Sequence, residues 1–61
     1  MKIVFSEKYE SITLAKKELL HLPRKDEMVA ISNELYLVDL VFHNFDNNFI
    51  SVTLVKLKLD N

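Results

Sequence analysis

Hydrophobic and polar positions along the chain change their spacing twice. Lys2-Ile3-Val4-Phe5 is a short β-branched and aromatic run and predicts a strand. Beyond it the spacing lengthens. Ile12, Ala15, Leu19 and Leu22 recur at intervals of three and four, one apolar stripe of a helix over 7–21. Ser6 can cap that helix, Glu7 and Glu10 suit its first turn, and Lys16, Lys17 and His21 suit its other end. Leu14 and Leu20 fall off the stripe. Pro23 ends the helix, and the charged connector Arg24-Lys25-Asp26-Glu27 follows. The remainder alternates more tightly. Met28–Ile31 predicts a strand, Ser32-Asn33 a tight turn, Leu35–His43 a second strand, Asn44–Asn48 a second turn, and Phe49–Leu59 a last strand. Residues 28–59 thus predict a three-stranded antiparallel meander.

Two of these strands do not alternate cleanly. In 35–43 the even positions Tyr36, Val38, Leu40 and Phe42 are apolar or aromatic, and the odd positions are largely apolar too. That is the pattern of a strand covered on both faces. In 49–59 the apolar set is even at first (Ile50, Val52, Leu54) and odd afterwards (Val55, Leu57, Leu59), so the buried parity changes near 54–55. A bulge or bend does this, and bulges let a small sheet curl. The expected fold class is therefore α+β: β-α-β-β-β, a curled meander of SH3-like or half-barrel form with one helix packed on it. A flat sheet covered by the helix on one side is the alternative. A helix of about 15 residues spans roughly 22 Å and covers one face of a four-stranded sheet, not two. Some of Tyr36, Phe42, Phe45, Phe49, Leu57 and Leu59 then stay uncovered unless the curl hides them, and a large uncovered apolar patch marks an interface.

Composition sharpens this. A chain of 61 residues makes one domain, 1–61, and buries only roughly 60% of its unfolded surface. With no Cys it has no disulfide or thiolate metal site, so a rich core or a partner must stabilise it. Its 49% hydrophobic content and net charge of −1 exclude disorder. No stretch suits a membrane span, and Met1–Glu7 lacks a secretory signal, so a cytoplasmic location is expected. Glycine is absent. Loops that cradle phosphate through glycine backbone are thereby excluded. Tight turns must use other residues at positive φ, and Asn33, Asn44, Asn47 and Asn48 stand where turns are expected.

Charge is segregated along the chain. Residues 1–25 carry +3, residues 26–55 carry −5 with no basic residue, and residues 56–61 carry +1. Lys16, Lys17, Arg24 and Lys25 form the basic group that a nucleic-acid interface would use, but no aromatic side chain lies between them to stack bases. Candidate chemistry is sparse. His21 is a helix-end surface residue. His43 lies three residues from Asp46, without the second His or the Cys that a structural zinc site needs. Asp46-Asn47-Asn48 is too short for a calcium loop and suits a turn. Asp39, a carboxylate inside an apolar strand, marks a bulge, an edge or a binding contact. One such acid is not a catalytic pair, and so short a chain has little material for a pocket. The expectation is a protein that is not an enzyme and uses no cofactor or metal.

The stretch Leu22-Pro23-Arg24, Glu27–Ile31 and Leu35–Phe42 resembles small proteins of phages and mobile elements. In those a Pro-Arg turn leads to a V-x-I strand and then to a Y-x-V-x-x-V strand. The resemblance covers about half of the chain and implies a small curled sheet with an accessory role, as a virion part, a regulator or an inhibitor of host defence. The expected function is protein binding by surface occupation, with Tyr36, Phe42, Phe45 and Phe49 as anchors and Asp39, Asp46 and Glu34 fixing orientation. The expected partner is a host protein or a second copy. The alternatives are a small-barrel nucleic-acid module acting through Lys16, Lys17, Arg24 and Lys25, and an assembly subunit of a phage particle.

Overall fold

A computed structural model describes residues 2–10, 12–18 and 22–57. It contains β1 (Lys2–Glu7), β2 (Ile12–Glu18), β3 (Met28–Ile31), β4 (Glu34–Asn44) and β5 (Phe49–Lys56). They form one sheet in the order β2-β1-β5-β4-β3. The meander β3-β4-β5 is antiparallel, as its turn chemistry predicts. β1 joins it parallel to β5, from Lys2 opposite Phe49 to Glu7 opposite Leu54. β2 pairs antiparallel on the far side of β1.

The expected α+β class is overturned: among the described residues there is no helix, and the fold is all-β. The error has a physical origin in β2. Phe5 stands opposite Ala15, Ser6 opposite Thr13 and Glu7 opposite Ile12, so the ladder skips Leu14 in a bulge. A bulge adds one residue between two positions of the same face. Positions 12 and 15 therefore share a face at a spacing of three, which imitates a helical stripe. Ser6 is no cap; it sits inside β1, between Thr13 and Thr53. Leu19, Leu20 and His21 of the expected helix, and residues 58–61 after β5, lie outside the described residues.

A second bulge explains the mixed parity of β4. Val38 faces Leu54 and Leu40 faces Thr53, leaving Asp39 unopposed. Tyr36 and Val38 lie on one face before the bulge, and Val41 and His43 continue that face after it. β4 is thus not covered on both sides. The parity change expected near 54–55 also lies elsewhere: β5 alternates without interruption through Ile50, Val52 and Leu54, and the irregularity is on its partner.

The core occupies one face. Ile3, Phe5, Tyr36, Val38, Ile50, Val52 and Leu54 form it, with Val38, Val52 and Leu54 fully buried. Leu14 from one edge and Val29 and Ile31 from the other pack against the same cluster, so the sheet curls over its own side chains. Leu22, in the segment joining β2 at one edge to β3 at the other, packs on it as well. Leu22 thus supplies part of the cover expected of the helix. Glu7 is also buried, and its carboxylate accepts the Tyr9 N–H at 3.4 Å.

Turns are made without glycine. Ser32 (φ 51°) and Asn33 (φ 67°) form the two-residue β3–β4 loop, and positive φ at both is the type I′ requirement. Asn48 (φ 57°) closes the β4–β5 loop, where the Asn47 N–H donates to Asn44 Oδ1 at 3.0 Å. Asp26 (φ 74°) closes a turn in which the Glu27 N–H donates to the Arg24 carbonyl at 3.1 Å.

Candidate interaction surface

The face opposite the core follows from the same registers. Met28 and Leu37 stand in line with Val55, and Ala30 with Leu35. Leu57 extends the second row by donating its N–H to the Leu35 carbonyl at 3.0 Å. Beyond the Asp39 bulge come Leu40 beside Thr53 and Ser6, then Phe42 beside Ser51 and Val4, then Asn44 beside Phe49 and Lys2. No second layer covers these rows among the described residues. Met28 is 63% exposed, and Leu40 and Phe42 are each 54% exposed. Phe45, in the β4–β5 turn, is 81% exposed, with its ring centroid 6.1 Å from that of His43.

The expected anchors separate on this frame. Phe42, Phe45 and Asp46 come together with His43 and Asn44 around a shallow depression at the β4–β5 turn. Phe49 lies on the open face, half-buried, opposite Asn44. Tyr36 does not join them. Its even parity before the bulge places it in the core at 6% exposure, so its ring holds the fold and is no surface anchor. Met28 and Leu40 are surface residues that residue type alone does not mark. The signal for Leu40 was the bulge at Asp39, which turns it away from the face of Val38.

Asp39 is the electrostatic hub. Lys8 Nζ reaches across β5 to its carboxylate at 3.2 Å, and Lys25 Nζ donates to its carbonyl at 3.4 Å. The hydrogen bond and the charge of Asp39, followed by the charge of Tyr9, hold the Lys8 ammonium above its ordinary value of 10.5, against an opposing desolvation. Lys25 also pairs with Asp26 at 3.9 Å, and Lys56 with Glu34 at 3.5 Å. Three carboxylates of the acidic stretch are thus matched with lysines from elsewhere. Folding thus offsets part of the charge segregation seen along the chain.

The basic alternative is divided. Lys16 and Lys17 belong to β2, where Lys17 holds the register position opposite Ile3, whereas Arg24 and Lys25 precede β3 at the other edge. Those edges are four strand spacings apart, roughly 19 Å along the sheet. Lys2 and Lys16 do share a depression with Val4, Thr13, Asn47, Asn48 and Phe49. Among the described residues no three His, Cys, Asp or Glu side chains are grouped as metal ligands, and no helix is long and apolar enough to cross a membrane. No protein-family model, curated protein or solved structure matches the chain.

Proposed function

We propose that this chain is a non-enzymatic protein-binding accessory protein that occupies the surface of a partner with the open face of its sheet. The observation that carries the reading is the exposure of Leu40 and Phe42 in succession on that face, with Phe45 exposed in the adjoining β4–β5 turn. Aromatic anchors dominate protein interfaces, and a monomer gains nothing from leaving such rings in water. Asp46 in the same turn supplies an exposed charge that orients a partner, while Asp39 and Glu34 are held by Lys8 and Lys56. The resemblance of 22–42 to small phage and mobile-element proteins favours a host protein in the host cytoplasm as the target.

The test is a photo-crosslinking side chain placed at Phe42 and, as a control, at the exposed Glu10. Irradiation in host cells should give one dominant, nuclease-resistant protein adduct from position 42 and none from position 10. Equal, diffuse labelling from both positions would count against the reading. A second reading, nucleic-acid binding, rests on the corner of Lys2 and Lys16 beside the Phe49 ring. It predicts an affinity that falls steeply with salt, whereas an apolar docking face predicts a weak salt dependence.

A further inference from the structure

The two edges of the sheet are built differently. β2 is interrupted by the bulge at Leu14 and carries Lys16 and Lys17, the devices that discourage an edge from pairing. β3 is Met28-Val29-Ala30-Ile31, short and preceded by a bulge in which Asp26 and Glu27 both bond Val38, but itself without charge or proline and in unbroken register with β4. Its hydrogen-bonding phase is fixed by two bonds. The Val38 N–H donates to the Glu27 carbonyl at 2.8 Å, and the Leu57 N–H to the Leu35 carbonyl at 3.0 Å. Antiparallel ladders alternate bonded and non-bonded pairs. Val29–Tyr36 and Ile31–Glu34 are therefore the bonded pairs of β3 and β4, while Leu35 and Leu37 direct their backbone groups to β5. The N–H and C=O groups of Met28 and Ala30 consequently point away from the sheet, and both residues are exposed.

We propose that this edge pairs antiparallel with the β3 edge of a second copy of the chain, across a two-fold axis at Val29. The outward groups are self-complementary in that register. Met28 of each copy exchanges two hydrogen bonds with Ala30 of the other, and all four donors and acceptors on each edge that have no partner among the described residues are used. A two-fold interface requires such self-matching. Charge does not oppose the pairing: the connector Arg24-Lys25-Asp26-Glu27 that would meet the Glu34 end of the other copy has no net charge, and Glu34 is already paired with Lys56. The side chains of Met28 and Ala30 stay on the open face, so the apolar rows Met28–Leu37–Val55 and Ala30–Leu35–Leu57 continue into the second copy. The docking face of the proposed function is doubled by an association that does not depend on it.

The chain contains no cysteine, which makes the register testable by single substitutions. Val29 would face itself as a non-bonded pair with Cα atoms about 4.5 Å apart, within disulfide reach. Met28 would be offset from its own copy by two residues, beyond about 7 Å, the limit for a bridge. Under a mild oxidant V29C should form a covalent dimer at least about tenfold faster than M28C or A30C. Without oxidant, the unmodified chain should show concentration-dependent dimers by sedimentation, and Ala30→Pro should abolish them while leaving the far-UV spectrum unchanged. Proline is tolerated there because the Ala30 N–H serves no bond within the sheet. A chain that stays monomeric up to about 1 mM would overturn the proposal. So would equal crosslinking at positions 28, 29 and 30.

Discussion

The two faces of this sheet carry similar residues and meet opposite fates. Leu54, Val52 and Val38 are sealed from water, while Leu40 and Phe42, one or two residues from the same ladder rungs, are more than half exposed. Composition does not separate them. The sorting is done by parity, and parity is set by the bulge at Asp39 in β4. The curl turns one face inward, where the edge residues Leu14, Val29 and Ile31 and the crossing Leu22 close over it, and it turns the other face outward. An apolar residue in a small sheet therefore reports burial only once the bulges are known.

The strongest way to break the comparison is to make matching cuts in each face. Leu54→Ala should cost about 2–5 kcal/mol, because it leaves a cavity among fully buried neighbours. A 61-residue domain holds on the order of 3–9 kcal/mol in total, so this variant should lose about half or more of its stability in a urea titration. Leu40→Ala should cost less than about 1 kcal/mol, as for other surface positions. Equal losses would mean that the open face is not open. Replacing Ser32-Asn33 by Asn-Gly, the pair best suited to a type I′ turn, comes next. It relieves two strained positive-φ positions and should raise stability by about 1 kcal/mol, or about 4–8 °C in melting temperature.

The smallest effect concerns the ion pair across β5. Lys8 gains a partner on folding, so its folded pKa lies above its unfolded one. The stabilisation it gives is fully present below the ordinary lysine value and is lost as pH rises through the raised folded value. The stability difference between the native chain and Lys8→Met should be constant from about pH 6 to 9 and disappear in strong alkali. A difference that changes near neutrality would assign the effect to another group.

Much of the fold was legible where turn chemistry speaks. Ser32-Asn33 and Asn44–Asn48 marked both hairpins, because without glycine few residues tolerate the left-handed region, and Asn33 and Asn48 do adopt it. β2 was not legible, since its bulge gives Ile12 and Ala15 the spacing of a helix. The parallel pairing of β1 with β5 joins segments more than 40 residues apart and leaves no local trace. Of the surface, Phe42 and Phe45 could be named from residue type alone. Tyr36, Leu40 and Met28 could not, because their sides depend on which residue of β4 is unopposed and which strand lies at the edge.

Methyl NMR of the dilute native chain with a soluble paramagnetic probe measures the difference between the faces without any substitution. The methyl signals of Met28 and Leu40 should broaden strongly, while those of Val38, Val52 and Leu54 stay sharp. Uniform protection of all five, or broadening of the three core residues, would contradict a sheet with one closed face and one open one.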